Sequence, residues 1–268
     1  MSGALYRAML KGNARTIAGY TAGMVFYLWL FIWVYPSIQG SQSLNALLSK
    51  MPSGLMRVLG YTVGMTHLSS FLGGEFYSLL YLLIMAIYAI LTAGKLVAHL
   101  IDNGSMAYLL ATPVSRVRVA ATQAAVLMTG ILVIGAVTTV GALVGAHWFV
   151  HHAGLNAGHF VEMNVVGVLL FAVVAGYSFA FSCVARDERS ALAFSAIVTM
   201  AFYALHTVSE LSRHFHWMGR LSLFSAFNSQ QLIRGQGHFA EVAPALVLAA
   251  VALFIIAIAG FRRRPLAL

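Results

Sequence analysis

The chain has 268 residues, of which 60% are hydrophobic and only 9% are charged, with a mean hydropathy of +0.85. Soluble domains carry about 25% charged residues, so this balance excludes a water-soluble globular protein. Sixteen Lys and Arg against seven Asp and Glu leave a net charge of +9, and a single cysteine, Cys183, excludes an intrachain disulfide.

Residues 1–16 open the chain with Arg7, Lys11 and Arg15 at i, i+4 and i+8, on one face of a helix, while Leu5, Met9 and Leu10 supply apolar area. This pattern predicts an N-terminal interfacial helix lying on the inner leaflet. The plainer alternative is three orienting charges on a loose tail. The first apolar run, Ile17 to Ile38, is too long for a cleaved signal peptide and no small-residue cleavage site follows it. An outer loop over 39–70 comes next, with a short helix expected around Leu44 to Leu59. Further apolar runs follow at Phe71 to Val97, Val119 to Trp148, Val165 to Val184, Ala191 to Val208 and Val242 to Phe261. About 20 apolar residues cross a bilayer as a helix, which satisfies its own backbone. The expectation is an all-α integral membrane protein of six transmembrane helices, forming one domain over residues 1–268.

An even number of spans puts both termini on one side. With the N-terminus inside, Arg7, Lys11, Arg15, Lys95, Arg116, Arg118, Arg186, Arg189, Arg262, Arg263 and Arg264 are cytoplasmic. Outside remain Lys50, Arg57, Arg213, Arg220 and Arg234, and eleven against five fits the positive-inside rule. The basic balance then reflects topology and contact with membrane lipid, not a nucleic-acid partner. Trp29, Trp33, Tyr35, Trp148 and Trp217 fall toward the outer interface, and residues 149–164 and 209–241 form the other outer loops. "ARDERS", 185–190, is a tight inner turn.

One stretch, "DNGSMAYLLATPVSR" over residues 102–116, is half apolar and half polar. Asp102 or Ser105 can cap a helix there, with Gly104 allowing the turn. Met106, Leu109, Leu110, Val114 and Val117 make one apolar stripe, Pro113 kinks or stops the helix, and Ser115 and Arg116 lead into the next span. Such a helix is too short to span. It can lie on the membrane or dock into another protein, and periodicity does not choose between the two.

"GSMAYLLATPVSRVRV" resembles the signature of ABC-2 type permeases, the membrane subunits of ATP-binding-cassette exporters, in which an acidic-Gly-Thr/Ser step leads into an LL-x-x-PVSR segment. "MPSGLMRVLGY" (51–61), "SSFLGGEFYSLL" (69–80) and "RLSLFSAFNSQQLIRG" (220–235) agree in order along the chain. Where the family often carries two or three acids before the glycine, this chain has His99, Leu100, Ile101 and Asp102. The resemblance implies a cytoplasmic coupling helix that transmits the movements of a separate ATPase, with Asp102, Met106, Leu109, Leu110, Pro113, Val114 and Arg116 as its contact residues. It also implies a bacterial-type inner membrane location, a second copy or close paralogue as partner, and a substrate that is a drug, antimicrobial peptide, lipid or ion. The first, second and fifth spans would line the route, with Tyr27, Tyr77, Tyr81, Tyr203 and His206 as candidate pathway residues; core packing is the alternative for each.

No G-x-x-x-x-G-K-[ST] phosphate loop occurs, since Gly94-Lys95 is followed by Leu96, so ATP and Mg are expected on the partner and no cofactor or catalytic residue in this chain. Gly19 with Gly23, and Gly141 with Gly145, allow close helix contacts, either within the chain or between copies. His147 and His151 lie at i, i+4 beside His152 and His159, with His214 and His216 in another loop, but without a companion cysteine no metal site is expected. Glu75, His206 and Glu210 are ionisable groups near the outer interface. The absence of mid-span charges and of an inverted repeat argues against a proton- or sodium-coupled secondary transporter; the alternatives to the exporter reading are such a carrier or a non-transporting membrane scaffold.

Overall fold

The computed structural model describes residues 3–39, 68–110, 114–150, 156–211 and 213–264. The short helix expected around Leu44 to Leu59, and the "MPSGLMRVLGY" segment, lie outside them. Six helices are long and apolar enough to cross a membrane. They are α1 (Gly3–Gln39), α2 (Leu68–Asp102), α4 (Arg116–Phe149), α5 (Ala157–Val184), α6 (Glu188–Leu211) and α8 (Phe239–Arg263). Among the described residues these are joined by short helices, α3 (Ser105–Leu110) between α2 and α4, and α7 (Ser229–Ile233) ahead of α8, with 3-10 turns at Arg213–Leu221 and Leu223–Ala226.

The N-terminal segment is helical, but it is not a separate element. It continues into the first span as one 37-residue helix, because nothing between Lys11 and Ile17 ends it. The Asn13 amide donates back to the Met9 carbonyl, so this polar residue stays inside the helix instead of capping a break. Leu5, Tyr6, Met9 and Leu10 lean on the chain's own core, and the Tyr6 hydroxyl meets Thr129 Oγ1 on α4 at 2.8 Å. Arg7, Lys11 and Arg15 remain exposed.

Helix α5 is the hub: it packs against α2, α4, α6 and α8, while α1 packs on α4. Small residues set how closely these helices approach. A methyl group at Gly130 on α4 would overlap the Tyr88 hydroxyl of α2. One at Gly167 on α5 would sit 2.8 Å from the Tyr81 hydroxyl. Gly141 and Gly145 receive Val25, Trp29 and Ile32 of α1, and the Trp29 indole N–H donates to the Gly141 carbonyl at 2.8 Å. That pair therefore packs internally. Gly19 and Gly23 meet nothing within 4 Å and line an open groove beside Tyr20 and Tyr27.

The two ends of the bundle differ in chemistry. At one end the Arg116 guanidinium donates to the Arg264 carbonyl at 3.0 Å, and Arg264 in turn donates to the Cys183 carbonyl at 3.0 Å. This basic end gathers the start of α4, the end of α5 and the end of α8. At the other end Trp29 and Trp148 pack edge to face at 5.8 Å, and Trp33 and Trp148 are exposed, as amphipathic rings at an interface should be. Tyr35 stands at the same end but is buried, with its ring 5.4 Å from Phe71 at the start of α2.

Helix α2 contains two π-helical stretches, Gly73–Leu80 and Gly94–Ala98, at its two ends. A π turn shifts backbone pairing to i→i+5 and leaves carbonyls short of donors, which is costly in lipid. The buried helix α7 supplies them: Ser229 Oγ donates to the Gly73 carbonyl at 2.8 Å and the Gln230 amide donates to the Ser70 carbonyl at 2.7 Å. Ser78 Oγ adds a third donor, also to Gly73.

Candidate functional site

The connection between α2 and α4 stands at the basic end. Asn103, and not Asp102 or Ser105, caps α3: its side-chain oxygen accepts from the Ser105 N–H at 3.0 Å. Gly104 adopts φ 75°, a left-handed conformation that costs a residue with a Cβ about 1–2 kcal/mol, so the glycine permits the reversal. Met106 is only 3% exposed, and Leu109 and Val114 are half-buried against the core of the same chain. The Leu110 side chain and Pro113 lie outside the described residues. The side chain that faces outward is Tyr108, 81% exposed. Asp102 is exposed, and half-buried Arg116 is engaged with the Arg264 carbonyl instead of a carboxylate. Ser115 caps α4 by accepting from the Arg118 N–H.

This loop is tied to a neighbouring turn. His99 Nδ1, three residues before Asp102, lies 2.6 Å from Glu188 Oε2 at the start of α6. Asp187 caps α6 by accepting from the Ser190 N–H at 2.8 Å and from its hydroxyl at 3.0 Å. These bonds to Ser190 hold the Asp187 carboxyl below its ordinary range, so the cap contributes above the unfolded pKa and fades as pH falls through the lowered value. Where the resemblance expects extra acids in the loop itself, this chain places His99, and Glu188 on another helix supplies the acid.

The candidate pathway residues separate into two places. Tyr77 and Tyr81 are fully buried with ring centroids 5.0 Å apart, and the Tyr77 hydroxyl donates to Asn164 Oδ1 at 3.0 Å. Tyr81 stacks on Phe227 and meets Phe171 edge-on, while its hydroxyl has no partner among the described residues. Phe171 touches Phe224, which touches Tyr203 at 5.6 Å, so three of the chosen residues belong to one aromatic cluster between α2, α5 and α6. His206 is half-buried one turn beyond Tyr203, and its Nδ1 has no partner among the described residues. Tyr27 stands apart, 46% exposed in the groove of Gly19 and Gly23. Sequence reasoning missed Asn164, Glu188, Asn103 and Tyr108. The Asn-Gly step at 103–104 was the available signal for the cap.

Among the described residues no three His, Cys, Asp or Glu side chains converge on a metal position. His147 and His159 are helical, not in a loop: α4 runs on to Phe149, and Asn156 starts α5 early by accepting from the Gly158 and His159 N–H groups. His151 and His152, and the side chains of His214 and His216, lie outside the described residues.

The fold and its polar loop define a multi-pass helical membrane protein built on one bundle. Residues 9–262 match the family model described as "Multidrug efflux system permease Rv1217c, C-terminal domain", and the chain belongs to that family. No curated protein matches the sequence.

The aromatic cluster makes a prediction that separates packing from transport. Tyr77→Phe should cost about 1 kcal/mol through loss of the bond to Asn164, whereas Tyr81→Phe, which deletes an unpartnered hydroxyl, should cost nothing or stabilise. Thermal unfolding of the purified variants checks the order; a larger loss for Tyr81→Phe would place an unrecognised polar contact at that hydroxyl.

Proposed function

We propose that this chain is the membrane-spanning subunit of an ATP-binding-cassette exporter, working as a pair and driven by a separate ATPase that binds ATP and Mg. Family membership supports the transport role, and one observation carries the coupling role. A six-residue helix stands at the basic end with Tyr108 outward and Met106 inward, so a push on the helix is transmitted directly to the chain's core. From there it reaches α2 through the covalent turn at Gly104 and α6 through the His99–Glu188 contact. The exposed ring of Tyr108 then takes the docking role, while Met106, Leu109 and Val114 act as the inner anchor.

The basic end faces the cytoplasm in this reading, since Arg116, Arg264 and the neighbouring Arg186, Arg189, Arg262 and Arg263, all in the inner set of the positive-inside count, stand at it. A cysteine introduced at position 187 should react with an impermeant maleimide only after permeabilisation, and one at 156 from outside; the reverse pattern overturns the orientation.

The groove beside Tyr20, Met24 and Tyr27 supports a pathway along α1 at the pair interface, because its glycines leave open space where another helix or a substrate ring fits. Tyr77 and Tyr81 support that pathway from within the protomer by fixing α2. The cargo in this reading is a drug-like amphipathic molecule.

Docking through Tyr108 is tested by recovery of the ATPase subunit with the purified permease. An interface tyrosine at such a position contributes about 2 kcal/mol, roughly 30-fold in affinity. Tyr108→Asp should reduce ATPase recovery and transport while leaving thermal stability unchanged, because the side chain is exposed in the free chain. Met106→Asp should instead lower stability by placing a carboxylate in the core. If Tyr108→Asp retains its ATPase and transports normally, the coupling role fails.

A further inference from the structure

We propose that the turn between α5 and α6 forms a binding site for an anionic phospholipid, with its phosphate on Arg186 and an acyl chain along Phe181, Val184 and Phe194. A groove of about 380 Å³ lies there, lined by these residues with Ala185 and Ser190. Its apolar wall is open: Val184 is 68% and Phe194 54% exposed.

The charge at its mouth is unbalanced. Both nearby acids are engaged, Asp187 with Ser190 and Glu188 with His99. Among the described residues no carboxylate pairs with Arg186, Arg262 or Arg263, and all three are exposed. The basic end of α8 stands beside this turn, because Gly260 packs near Val184 and Arg264 donates to the Cys183 carbonyl. Arginine forks match phosphate oxygens, and basic residues at a membrane surface attract anionic headgroups.

A free anion would satisfy the arginines but leave the apolar groove open, and a zwitterionic lipid would fill the groove but set its ammonium group among the arginines and leave their net charge uncompensated. An anionic lipid satisfies both. Its position gives it a consequence for coupling, since Arg186 is two residues from Glu188, whose carboxylate holds the end of α2. A bound headgroup steadies the turn on which that contact stands. The site does not depend on the ATPase assignment, and either can fail alone.

The test uses the full-length protein in detergent with a photoactivatable phosphatidylglycerol, phosphatidylcholine of the same chains, and glycerol phosphate as the soluble competitor. Phosphatidylglycerol should label peptides covering residues 181–194. Neutralising one arginine at a membrane surface costs about 1 kcal/mol, so Arg186→Gln should cut that labelling about fivefold. Arg262→Gln combined with Arg263→Gln should reduce it further, and Arg186→Lys should retain most of it. All are surface changes, and unchanged thermal midpoints verify folding. Equal labelling by phosphatidylcholine, or unchanged labelling of Arg186→Gln, overturns the proposal and leaves an ordinary lipid-facing surface. Full competition by glycerol phosphate at the lipid's own concentration overturns it in favour of a soluble anion.

Discussion

The structure depends on how closely α2, α4 and α5 approach one another. In lipid there is no hydrophobic drive between helices, because acyl chains are as apolar as leucine, so cohesion comes from close van der Waals contact and internal hydrogen bonds. Gly130 under Tyr88 and Gly167 under Tyr81 create those contacts by removing the side chains that would hold the helices apart. The Tyr77–Asn164 bond adds a directional link between α2 and α5. Tyr81, one of the candidate pathway residues, is thus also the large half of a large-to-small packing pair with Gly167.

That packing makes α2 a stiff strut between two contrasting attachments. At its start, Ser229 and Gln230 of α7 hold backbone carbonyls at and beside the first π turn. At its end, Gly94 approaches Leu192 of α6 within the second π stretch, and His99 reaches Glu188 on the same helix. Polar attachments at both ends with an apolar middle suit a helix that shifts as a unit. The loop carrying Tyr108 lies directly beyond the second attachment, and the aromatic cluster of Tyr77, Tyr81 and Phe171 lies near the first.

Hydropathy made the six spans legible, since bilayer thickness dictates both the length and the apolarity of a spanning helix. The helix boundaries moved outward where polar caps, Asn156 and Asp187, extend helices beyond their apolar runs. The loop at 102–116 also stood out, because its polarity breaks an otherwise apolar pattern. Which face of a span points inward was not legible. In a soluble helix the buried stripe differs in polarity from the exposed one, but here Tyr81, wholly buried, and Leu83, half exposed, lie on an equally apolar helix. The apolar stripe was readable as a stripe, yet only the fold shows that Met106, Leu109 and Val114 face the chain's own core. Contacts between distant positions, such as His99 with Glu188, leave no local spacing to detect.

The central claim is that motion of the 102–110 segment reaches the bundle through the junction of α2 and α6. The most direct test is reversible locking of that junction. With Cys183→Ala as background, Gly94→Cys and Leu192→Cys together allow a disulfide across it, because a Cβ at Gly94 lies 3.3 Å from Leu192 Cγ, and transport is measured before and after oxidation and again after reduction. The account predicts that oxidation stops transport while the ATPase subunit remains bound, and that reduction restores it. Undiminished transport by the fully crosslinked protein would contradict the account.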